Sequence, residues 1–93
     1  MFITGDLIDA EKSFVDEGDY VTFKHAVLTK YNGAAETYSK DRTNKKKENE
    51  VIAYADFYIR VITENLDKLN IEQQHEAKHT CESMQTSKKY IRF

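Results

Sequence analysis

The segment His75-Glu76-Ala77-Lys78-His79 has residue types and a spacing that could do chemistry. Histidines four residues apart stand one helical turn from each other and can share a zinc ion. A glutamate placed directly after the first can activate the zinc-bound water for hydrolysis. Such a site also needs a third protein ligand. Glu82 is the acidic residue that follows on the same segment, so His75, His79 and Glu82 form the candidate metal set.

The pattern resembles that of zincin metallopeptidases over these five residues and nowhere else, which identifies no family. Four features of the segment speak against the chemistry. Lys78 puts a cation beside the intended metal, and only 14 residues follow His79 to supply a separate ligand-bearing element. Glu82 lies seven residues from His75, roughly 10 Å along a helix, so the three side chains do not converge easily on one ion. On a helical wheel the two histidines and Glu82 also fall opposite Ala77, Cys81 and Met84. If that apolar strip packs inward, the imidazoles face water. The expectation is therefore a solvated polar face, no resident cofactor and no enzymatic activity. Cys81, a lone thiol on an apolar strip, reads as a small core residue.

The elements that would carry these residues are helical almost throughout. With no proline and only three glycines, the chain favours long helices over a turn-rich β fold. The expected architecture is all-α, a small single-domain bundle of three to four amphipathic helices over residues 5–17, 19–40, 45–69 and 71–87. Gly18 is expected to end the first helix, with Asp19 capping the second. The second has the clearest stripe: Tyr20, Phe23, Val27, Leu28, Tyr31, Ala34, Ala35 and Tyr38 advance at about 100° per residue. The stripe keeps phase across Asn32-Gly33, which predicts one helix, kinked at most.

Residues 40–47 contain no apolar side chain and read as a connection, with Thr43 or Asn44 capping the third helix. That helix is apolar around half its circumference, as expected of a central helix or of one that also meets a partner. Asn70 with Gln73 matches a capping box opening the fourth. Tyr90-Ile91-Arg92-Phe93 alternates like a strand and predicts an extended tail, or a short β clasp with Phe2-Ile3.

Composition bounds the function classes. With 40% apolar and 32% charged residues and a net charge of −2, the chain suits a globular protein with no global bias toward nucleic acid. Its longest dense apolar stretch, residues 51–61, is interrupted by Asp56 and Arg60, so no membrane span is expected. One cysteine and no recognisable leader point to a reducing, cytoplasmic setting. Locally, Lys40, Arg42, Lys45, Lys46 and Lys47 make a basic block that could grip phosphate.

Six tyrosines and five phenylalanines are many for so small a core to hide, and aromatics are what interfaces use. Tyr54, Phe57, Tyr58, Val61, Tyr90 and Phe93 are accordingly the candidate partner-binding residues, for a homodimer or another protein. The leading expectation is a protein-interaction module, a small regulator or inhibitor of the host-directed kind carried by phages and mobile elements. A nucleic-acid-binding module built on residues 40–47 comes second, and a zinc hydrolase third.

Overall fold

The computed structural model describes residues 3–91. Among them four helices follow one another: α1 (Gly5–Lys12), α2 (Glu17–Lys40), α3 (Lys45–Glu64) and α4 (Ile71–Ile91), with a 3-10 turn at Leu66–Lys68 before α4. No strand occurs among the described residues. The all-α bundle is thus the observed fold.

The first boundary differs from the sequence expectation. α1 stops at Lys12, and α2 starts at Glu17, so Gly18 lies inside α2 rather than ending α1. A reciprocal capping box decides this. The Asp16 carboxylate accepts from the Gly18 and Asp19 amides, while the Asp19 carboxylate accepts from Val15 N at 2.8 Å and Asp16 N at 3.1 Å. Several amides that would otherwise lack partners at the helix start are satisfied together, which outweighs continuation of α1. A Cβ at Gly18 would stand 3.2 Å from Asp16 Oδ1, so glycine permits the close approach of the cap. The loop between the helices turns Phe14 into the core, where its ring meets Phe23 edge-on at 5.7 Å, and leaves Val15 in solvent.

α2 runs unbroken through Asn32-Gly33, and its predicted stripe faces the core or its margin. The following connection is shorter than expected, residues 41–44 only. Asn44 caps α3 through Lys47 N at 3.1 Å, which places Lys45, Lys46 and Lys47 in the first turn of α3. α3 also ends earlier than expected. The Asn65 side chain donates to the Val61 carbonyl at 2.8 Å, and the chain tightens into the 3-10 turn that brings Leu69 into the core. Asn70 and Gln73 then form the predicted capping box, with Gln73 N donating to Asn70 Oδ1 at 2.8 Å.

The C-terminal expectation is corrected. Tyr90 and Ile91 continue α4, so they form neither a strand nor an extended tail. Phe2, Arg92 and Phe93, the other members of that reading, lie outside the described residues. Ile3 packs at the edge of the core.

α2 lies antiparallel along α3, α4 packs antiparallel on α3's other flank, and α1 braces α2. The core at the α2–α3 seam is aromatic. Phe23 stacks on Tyr58 at 6.0 Å and tilts against Phe57 at 5.6 Å. α1 is tied across both long helices, by Asp6 to Lys30 and by a two-pronged Glu11–Arg60 pair at 2.9 and 3.2 Å.

Candidate functional site

The H-E-x-x-H segment lies in the first half of α4 with both imidazoles exposed, while Ala77 and Met84 face the core. Glu76 does not point at a site between the histidines. Its carboxylate accepts from Lys24 of α2 and from the Tyr20 hydroxyl, so it ties α4 to α2. Glu82 is exposed on the outer side of α4. Among the described residues no three His, Cys, Asp or Glu side chains come together to hold a metal. Beneath Glu76 the Tyr20 and Tyr58 hydroxyls meet at 3.2 Å. Burial first, then their mutual contact, holds the Tyr20 phenol protonated far above its ordinary range, and burial pushes Tyr58 the same way. Cys81 is half-buried, and desolvation raises its thiol pKa.

Four of the candidate partner-binding residues are corrected. Tyr54, Phe57, Tyr58 and Val61 are all buried, with Phe57 only 5% exposed, because α2 and α4 cover α3 from both flanks. The width of α3's apolar stripe reflects this central position. Tyr90 is 73% exposed and remains available, and Phe93 lies outside the described residues.

The basic block is largely matched by acids on the same elements. Lys40 pairs with Glu36 at 3.4 Å, Lys45 with Glu48 at 3.1 Å and Lys47 with Glu50 at 2.8 Å. Arg42 lies over the Tyr38 ring at 5.3 Å, and Arg42 and Lys46 are the two cations of the block with no acidic partner among the described residues. Asp41 accepts from Thr43 N and Oγ1, bonds that lower its carboxyl pKa and tie the connection to itself. A phosphate-gripping surface needs cations free to exchange their counterions for phosphates, and little of the block meets that condition.

A different surface stands out. α2 and α4 run in the same direction on either side of α3. They are bridged at their N-terminal ends by Gln73 donating to the Glu17 carbonyl at 3.0 Å and by the Lys24–Glu76 pair. A groove runs along the pair, spanned near this end by the Lys24–Glu76 bridge. Three depressions of 250 to 370 Å³ share residues end to end, Leu28 and Asn32 joining the first two and Tyr31 and Ser87 the last two. Val21 at one end, 60% exposed, and Tyr90 at the other are two of the four large apolar side chains most open to solvent.

The lining includes one regularly spaced file of residues on each helix, flanked by others such as His25, Asn32 and His79. α2 contributes Val21, Lys24, Leu28, Tyr31, Ala35 and Tyr38, and α4 contributes Gln73, Glu76, Thr80, Ser83, Ser87 and Tyr90. Each file steps alternately by three and four residues, the spacing of a helix face along which another helix can lie. Leu28 and Ala35 belong to the stripe that periodicity assigns to the core, whereas Thr80, Ser83 and Ser87 carry no apolar signal. The repeated three-four spacing was the available signal.

No helix among the described residues is long and apolar enough to cross a membrane. Compared with known protein families, curated proteins and solved structures, the chain matches none.

Proposed function

We propose that this chain is a non-enzymatic protein-interaction module that receives a helix of its partner in the α2–α4 groove, and so acts as a small regulator or inhibitor. The single observation that carries the reading is the open corner of the bundle. α3 occupies one side of the α2–α4 pair, and the opposite side presents a second seam on which no helix lies among the described residues. The apolar side chains of the seam, Val21, Leu28, Ala35 and Tyr90 among them, favour an occupant by the same area-dependent term that built the core. The remaining observations agree with it. Glu76 is engaged by Lys24 and Tyr20 rather than poised over water, and the lysines of residues 40–47 are mostly paired within their own helices. A second copy is a poor occupant, since two concave faces placed together leave a void between them. The unpaired thiol of Cys81 suits a reducing, cytoplasmic setting.

The test is affinity purification from the native cell with the wild-type chain and with Ser83→Arg, an exposed position in the middle of the seam. A stoichiometric polypeptide recovered by the wild type and lost from the variant, with unchanged helicity and melting temperature, is the expected result. The same recovery from both chains, or a recovery abolished by nuclease, overturns the proposal.

A further inference from the structure

We infer that the occupant of the α2–α4 groove is an amphipathic helix running antiparallel to α2 and α4, with carboxylates in its first turn and lysine or arginine in its last. This rests on the docking reading above and adds the orientation and the charge pattern of the partner. Three observations carry it.

The first is topological. α2 and α4 point the same way and α3 the opposite way. A fourth helix seated across α2 and α4 from α3 completes an up-down-up-down bundle, in which every neighbour is antiparallel, only if it runs as α3 does. Antiparallel neighbours also set helix dipoles head to tail.

The second is the charge of the groove's two ends. The end formed by the starts of α2 and α4 carries Glu17 and Glu72, one turn before the lining residues Val21 and Glu76. The end formed by their last turns carries Arg42, which lines the groove and has no carboxylate partner among the described residues. Acids in the first turn of an antiparallel helix meet Arg42 while also complementing their own helix dipole, and bases in its last turn meet Glu17 and Glu72. A parallel helix of ordinary composition would set like charges against each other at both ends.

The third is the seam itself. On α4 the positions between the ends are Thr80, Ser83 and Ser87, small side chains that leave room for a close approach. On α2 they are Leu28, Tyr31 and Ala35, with Asn32 beside them, the more apolar wall. The occupant therefore meets one wall of small polar groups and one of apolar groups. It is expected to carry an apolar a/d stripe of about three turns, with serine, threonine or alanine beside it.

The experiment uses the full-length protein and a displayed library of 21-residue helical peptides. These share an apolar a/d stripe and are randomised between Glu and Lys in the first and last turns. Selected peptides that Ser83→Arg abolishes count as groove binders. Their expected pattern is Glu first and Lys last, with the charge-reversed peptide weaker on the order of tenfold. A spin label at the peptide's N-terminus should broaden amide resonances of Ser39 and Arg42, not those of Val21 and Gln73. Arg42→Glu should move the first-turn preference from Glu toward Lys.

Groove binders with the reversed pattern, no charge preference, or broadening at Val21 overturn the orientation while leaving the docking reading standing. A library that yields no peptide sensitive to Ser83→Arg, or a chain that sediments as a dimer through this face, overturns both.

Discussion

Replacing Phe57 by alanine separates a core role from an interface role, because the two predict opposite readouts. Phe57 is 5% exposed, its ring 5.6 Å from Phe23 on one side and under the Arg60 guanidinium at 5.4 Å on the other. Truncating a buried phenylalanine costs about 3–5 kcal/mol, from lost transfer energy and the cavity left behind. Here the low end applies. The space opened lies at the rim of the core, where the half-exposed Arg60 stem can partly refill it. Phe23→Ala, fully buried among three aromatic rings, should sit at the high end. Against a total of roughly 5–14 kcal/mol for a domain of this size, either change removes a large fraction. At about 4–8 °C per kcal/mol, Phe57→Ala should lower the melting temperature by at least ~12 °C. The assay is urea unfolding followed by far-UV circular dichroism, with the midpoint shifted and the m-value unchanged. Phe57→Leu, expected to cost less than about 1.5 kcal/mol, keeps the measurement possible if the alanine variant does not fold. A loss below ~1 kcal/mol for Phe57→Ala, joined to a change in association state, would refute the burial argument and return Phe57 to an interface.

Gly33 is helical, with no heavy atom within 4 Å of an added Cβ. Gly33→Ala should therefore stabilise the protein by about 0.5–1 kcal/mol, read as a higher melting temperature; a lower one would mean that α2 needs a hinge there. Asp16→Ala removes the acceptor of two α2 amides and should cost about 1 kcal/mol, most of it recovered in Asp16→Asn. In acid, Asp19 is lowered by hydrogen bonds from Val15 and Asp16, and Glu11 by Arg60, so both carboxylates ionise more readily folded than unfolded. Their contribution is complete above the ordinary carboxylate range near 3.8–4.5 and is lost as pH falls through their folded values. The unfolding midpoint should drop below about pH 4.5, less steeply in Asp19→Asn. Cys81, half-buried with its thiol pushed up by desolvation, should react with a disulfide reagent at pH 8 much more slowly than free cysteine. A rate equal to that of free cysteine would place the thiol in solvent.

Much of this molecule was legible in the residues themselves. A stripe such as Tyr20, Phe23, Val27, Ala34 and Tyr38 depends only on helical period, and the caps at Asn44 and Asn70 depend only on side chains reaching nearby amides. The outward turn of His75 and His79 followed in the same way from their position opposite Ala77 and Met84. These are local properties, carried by neighbours within a turn or two. At the α1–α2 junction two local signals competed, Gly18 as a stop and Asp16 with Asp19 as a capping box. The box prevailed because it satisfies more amides while the loop delivers Phe14 to Phe23.

What only the tertiary structure decided was which apolar surface is covered. Sequence composition determined that α3 is apolar around half its girth. Only the packing of α2 and α4 on both its flanks decided that Phe57 and Tyr58 are core, and that the uncovered seam belongs to Leu28, Ala35, Ser83 and Ser87 instead. Periodicity records which face of a helix is apolar. The number of neighbours a helix has is a property of the assembled bundle, set by contacts between residues far apart in the chain.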